Sequence, residues 1–173
     1  VGAPLADGVN VDSGAAYLLD ATTGQELHKF TTSHGMPDFD FGWSVALSGS
    51  RAIVGAPLDD SVAVGLGAAY VFDAISGQEL FRLEASDPET YVLGWSVDMD
   101  GSLAVLGAPW SYAPEAQSGA GGVFNVFTGQ EVFRLQSSGT GYYAGYRRIG
   151  WGASIEGNTV VLGAPRDWEH YNW

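Results

Sequence analysis

The residues of this sequence that could do chemistry favour contact over catalysis. Trp110, Tyr112 and Glu115 stand in one short stretch, placing aromatic area beside a carboxylate, the combination that sugar-binding sites often use. Further on, Tyr142, Tyr143, Tyr146, Arg147 and Arg148 lie among glycines, and Tyr with Arg is the pairing enriched where proteins hold partners. Two uses fit this second group: contact with a protein or glycan ligand, or packing over the edge of a sheet. Asp59 and Asp60, with Asp7 and Asp12 in the matching segment earlier, gather negative charge that suits a cation, a basic partner or simple solvation. Lys29, Arg82 and Arg134 recur at matching positions and are expected to form ion pairs.

Catalytic patterns are missing from the sequence. His28, His34 and His170 have no histidine neighbour at metal-ligand spacing. Neither a G-x-S-x-G elbow nor a phosphate-cradling G-x-x-x-x-G-K occurs. With no cysteine there is no disulfide, thiolate metal site or thiol nucleophile. The 20 acidic residues against 7 Lys and Arg give a net charge of −13, which opposes nucleic acid and anionic membrane as partners. No apolar run reaches the roughly 18 residues of a membrane span.

The elements that position these residues follow from an internal repeat. An aliphatic residue before G-A-P opens Val1 to Pro4 and recurs at Val54 to Pro57, Leu106 to Pro109 and Leu162 to Pro165. These copies are about 52 to 56 residues apart, a period that signals propellers or solenoids. An apolar-Gly-Trp triplet keeps the same phase at Phe41-Gly42-Trp43, Leu93-Gly94-Trp95 and Ile149-Gly150-Trp151, and a T/S-G-Q-E turn does so at Thr23 to Glu26, Ser76 to Glu79 and Thr128 to Glu131. In the second unit, strand-length segments cut by turn residues predict four strands, near Gly42 to Leu47, Ala52 to Gly55, Ala68 to Asp73 and Glu79 to Leu83. Four antiparallel strands per repeat predict an all-β fold of propeller blades, about three blades in this chain, with no helix longer than about two turns. One blade is too small to bury both faces, so neighbours must cover it. Trp43, Trp95 and Trp151 are expected to be buried in that packing, with a ligand-stacking platform as the competing use.

The ordered set Phe41-Gly42, Val54-Gly55-Ala56-Pro57 and Ala68 to Asp73 resembles the FG-GAP repeat of integrin α-subunit propellers and of bacterial and protist surface proteins. Integrin-like repeats often carry a calcium loop, D-x-D/N-x-D-G, between strands one and two. Of that loop only Asp98 and Asp100, in Asp98-Met99-Asp100-Gly101, are present. The resemblance therefore implies at most a weak calcium contact there, beside the reading as a solvated tight turn, since calcium takes about six to eight oxygens. No other cofactor is expected. Two copies depart from the repeat, Gly121-Gly122-Val123-Phe124-Asn125 and Gly152-Ala153, and predict looser packing locally.

These readings divide the chain into a partial blade at 1–40, blades at 41–92 and 93–148, and a second partial blade at 149–173. The resemblance implies a non-enzymatic extracellular or cell-surface module that presents loops to a protein or glycan, or to other blades or copies of the same chain. A lectin-like propeller is the alternative, and an enzyme-associated propeller domain a third. Val1 opens inside a motif, which predicts a removed leader or a longer parent chain.

Overall fold

The computed structural model describes residues 1–33, 38–61, 65–112, 118–136 and 147–165. Among these residues the regular elements are strands, with no helix. The first sheet holds β1 (Gly2–Ala3), β2 (Ala15–Leu19) and β3 (Glu26–Phe30), in that order. The second holds β4 (Ser44–Ser48), β5 (Arg51–Ala56), β6 (Ala68–Asp73) and β7 (Glu79–Leu83). The third holds β8 (Ser96–Asp100), β9 (Leu103–Ala108), β10 (Ala120–Asn125) and β11 (Glu131–Gln136). A two-stranded sheet of β12 (Ala153–Glu156) and β13 (Thr159–Leu162) follows. Every neighbouring pair is antiparallel and consecutive, so the two four-stranded sheets are propeller-like blades.

The third and fourth strands of the second unit fall where the turn residues predict. The first begins at Ser44 rather than Gly42, because Gly42 and Trp43 lie in a turn closed by the Trp43 N–H on the Asp40 carbonyl at 3.0 Å. The second runs from Arg51 to Ala56, longer than the sequence signal at both ends.

Alternation along β5 and β6 explains how the blades stack. Ala52 and Val54 pair with Phe72 and Tyr70, and this face is buried with Ala16 and Phe30 of the first sheet. Ile53 pairs with Val71 on the opposite face, buried with Val97, Met99 and Leu106 of the third. Both faces are buried, so β5 and β6 read as nearly continuous apolar runs. Phe41 meets Tyr70 and Phe72 edge-on, at 5.6 and 5.9 Å between ring centroids. The expected looseness of the third unit is not found. Val123 and Phe124 are buried, the Phe124 ring fills the space beside Gly122, and Leu162 fills that beside Gly121.

Side chains of the repeated motifs join each blade to the next in the same way. The Ser44 hydroxyl donates to the Gly94 carbonyl at 2.8 Å, and Ser96 donates to Gly150 at 2.9 Å. The Glu of the T/S-G-Q-E turn accepts a backbone N–H from the blade before it: Glu79 from Ser33 at 3.1 Å and Glu131 from Ser86 at 2.8 Å. Across the strand one to two turns, Gly101 N–H donates to the Ser48 hydroxyl and Gly157 N–H to the Asp100 carboxylate.

Candidate functional site

The site begins at the turn ahead of each first strand. Gly94 has φ +87°, and a Cβ there would strike the Ala68 carbonyl, so glycine is required both by conformation and by close approach. The residue two before it is also left-handed: Asp40, Val92 and Arg148 have φ of 52°, 53° and 57°. Each such turn is closed by the following tryptophan N–H, Trp43 to Asp40, Trp95 to Val92 and Trp151 to Arg148. The backbone therefore presents one indole per repeat at the same height.

The three indoles touch across the blades. Trp43 and Trp95 lie 4.6 Å apart between centroids, and Trp95 and Trp151 5.2 Å apart. Trp110, from the segment after β9, stands edge-on to Trp95 at 4.4 Å and 5.5 Å from Trp151. The Arg148 guanidinium lies 5.1 Å from the Trp110 ring and 5.6 Å from that of Trp151, within cation–π range.

This corrects the expectation of burial. Trp43 is 42 % and Trp151 40 % exposed, while Trp95 and Trp110 are half-buried, so the repeated tryptophans form a surface of their own. They stand in turns, where strand alternation does not send side chains to an inter-blade face. The signal that finds them is an aromatic residue at the same turn position in every unit.

Beside the indoles lies an open cleft of about 310 Å³, lined by Gly65, Tyr91, Val92, Trp110 and Tyr112. Tyr91 and Tyr112 meet edge-on at 5.5 Å. The cleft is held by backbone and hydroxyl bonds: Tyr112 N–H donates to the Glu89 carbonyl at 3.0 Å, and Tyr91 N–H to the Ser111 hydroxyl at 2.9 Å. Trp110, Tyr112 and Arg148 are thus brought to one aromatic face. Arg147 is buried, so its side chain is not part of that face. Tyr142, Tyr143, Tyr146 and Glu115 lie outside the described residues, as do His34 and His170.

The acidic positions divide. Asp59 is fully buried, accepting the Tyr70 hydroxyl at 2.6 Å and the Arg82 guanidinium at 2.9 Å. Burial raises its carboxyl, but bonds from Arg82, Ser61 and Tyr70 outweigh that and hold it below the usual carboxylate value. Burial and the Asp59 carboxylate together push the Tyr70 hydroxyl up. Asp60 is exposed and accepts from the Gly65 N–H. Arg82 also pairs with Glu84, Arg134 pairs with Asp87 of the preceding unit, and Lys29 donates to the Asp7 carbonyl at 2.8 Å.

Asp98 accepts from the Ser154 hydroxyl at 3.0 Å and the Ile155 N–H at 2.9 Å, and Asp100 from the Gly157 N–H at 2.8 Å, all in the following unit. Among the described residues no group of three or more His, Cys, Asp or Glu is placed to hold a metal ion.

No curated protein matches the chain. The model of the FG-GAP repeat matches residues 25–72. That span runs from the T-G-Q-E turn before β3 to near the end of β6 and takes in Phe41-Gly42 and Val54 to Pro57. With the blades and the motif-borne joints in view, residues 25–72 match an FG-GAP repeat and are set among further units built on the same plan.

Proposed function

We propose that the chain is a non-enzymatic extracellular or cell-surface adhesion module that holds its partner on the tryptophan face. An FG-GAP repeat is a unit typical of adhesion and protein-binding modules. The observation that carries the proposal is the joined, half-exposed surface of Trp43, Trp95, Trp110 and Trp151, with Arg148 over two of the rings. Trp, Tyr and Arg are the residues that most often dominate binding energy at interfaces, and exposed contiguous aromatic area on a soluble domain marks an interaction site. The partner is a protein surface offering an apolar or aliphatic group to stack on the indoles and a carboxylate for Arg148. The lectin-like alternative draws on the same rings, whose faces suit a sugar.

The test uses the whole chain in a binding screen against immobilised matrix proteins and a glycan array. Wild type is compared with a Trp43→Ala/Trp110→Ala variant of unchanged circular dichroism. Binding to a protein surface that drops at least about tenfold in the variant, as expected on losing a hot spot of about 2 kcal/mol, supports the proposal. Binding to glycans alone turns it into the lectin reading. Binding that the variant leaves unaltered, or none to either set, overturns it.

A further inference from the structure

The cleft of about 310 Å³ beside the tryptophan face lies where the segment before β6 meets the segments before β8 and after β9. Its walls are aromatic. Tyr91 and Tyr112 stand at 78° to one another, 5.5 Å apart between centroids, as adjoining sides of a corner, and Trp110 adds a third ring. The faces of such rings carry partial negative charge and attract a cation that lies over them. The Arg148 guanidinium over Trp110 and Trp151 is one such pairing in this molecule, and it stands outside the lining of the cleft.

Two further observations mark the cleft. Val92, part of its lining, is held at φ 53°, where a β-branched residue is an outlier. Asp40 and Arg148 take the same conformation at the matching turns with no branch at Cβ. Backbone strain of this kind collects at binding sites, where the placing of a particular side chain outweighs its cost. The second observation is charge. The exposed Asp60 carboxylate accepts the N–H of Gly65, another lining residue, so a negative charge stands at that end of the cleft. The chain as a whole carries −13, which draws cations toward it.

We propose that this cleft binds the quaternary ammonium head of a small choline-type compound. A primary ammonium would give up hydrogen bonds to water that three rings and a valine do not replace, and so would the hydroxyls of a sugar. A trimethylammonium head has no N–H to satisfy. Its methyl groups pack on Tyr91, Val92, Trp110 and Tyr112, while its charge acts through the ring faces and toward Asp60. The volume is at the lower end of ligand pockets, roughly 300 to 1,000 Å³, which suits a small molecule rather than a length of another chain. An uncharged group of the same shape would gain the packing and lose the attraction of the rings. This goes beyond the proposed protein-binding role and does not rest on it.

Calorimetric titration of the whole chain with choline chloride, against sodium chloride at matched ionic strength, tests this. Choline is expected to bind with a Kd of about 1 mM or tighter. Its uncharged carbon analogue, with a tert-butyl group in place of trimethylammonium, is expected to bind at least about tenfold more weakly. Tyr112 is partly exposed, so Tyr112→Leu keeps the fold and the apolar area while removing one ring. It should weaken choline at least about threefold and leave the analogue within about twofold. Val92→Asn places a residue that tolerates the left-handed backbone, so its urea midpoint should not fall, yet choline should bind more weakly. No heat of binding up to about 10 mM choline overturns the proposal. So does equal affinity for choline and the analogue, or choline binding that neither variant weakens, since that would lie elsewhere on the chain.

Discussion

Trp95 shows what a residue's neighbours say that its type does not. It contacts Trp43, Trp110 and Trp151, whereas Trp43 contacts Trp95 alone among the described rings. Each such pair contributes about 0.5–1.5 kcal/mol beyond area burial, so Trp95→Ala is expected to cost about 2–3 kcal/mol and Trp43→Ala about 1 kcal/mol. Urea unfolding of the two variants checks this, and equal losses would contradict the stacking order. Asp59 supplies a second prediction. Its folded carboxyl titrates below the ordinary value of 3.8, so the stability it contributes is present above that pH and lost as pH falls through the lower folded value. In Asp59→Asn, the acid loss of stability should be shallower than in wild type below about pH 4, read by urea midpoints at a series of pH values. Asp20, half-buried at the Thr22-Thr23 turn, accepts from the Thr22 hydroxyl and the backbone N–H groups of Thr22 and Thr23, which lower it to about 2; its side-chain NMR titration should have its midpoint there.

At the scale of the element, the repeats explain why so much of the fold was legible. The G-A-P spacing locates strand two in each unit and the T/S-G-Q-E spacing strand four in the first three, and β6 and β7 fall where the turn glycines predict. What alternation cannot give is the direction of a side chain in a turn, so the tryptophans read as core and proved to be surface. Nor does a sequence show that the segment after β5 folds back to bury Asp59 beneath Arg82. Asp98 and Asp100 illustrate the same limit, since the following unit that engages them is distant in the chain. The Ser44 and Ser96 joints carry a prediction of their own. Ser44→Ala leaves the Gly94 carbonyl without its donor and should cost about 1 kcal/mol, with Ser96→Ala alike. Gly152 stands at the same position in β12's unit, and Gly152→Ser should leave the urea midpoint unaltered, because among the described residues nothing lies within 4 Å of a Cβ there.

For the whole molecule, charge and metal lead to opposite expectations. A net charge of −13 on 173 residues makes the folded state repel itself, and salt relieves that over a Debye length of about 10 Å at 0.1 M. The melting temperature should therefore rise when sodium chloride is raised from about 0.01 to 0.15 M. Calcium should add nothing beyond that ionic effect, because the Asp98 and Asp100 carboxylates already accept bonds from the next unit. A calorimetric scan in millimolar calcium against one in a chelator at matched ionic strength separates the two.

The close approach at Gly94, backbone against backbone, bears on how such a chain could lengthen. A joint made of side chains must be redesigned on both partners whenever one changes. Here the contact is between a glycine and a carbonyl oxygen, the same at Gly42, Gly94 and Gly150 whatever the strands around them carry. Duplicating a unit therefore copies one side of a joint that the neighbouring unit can already complete, leaving the strand surfaces free to diverge while the three glycines stay fixed.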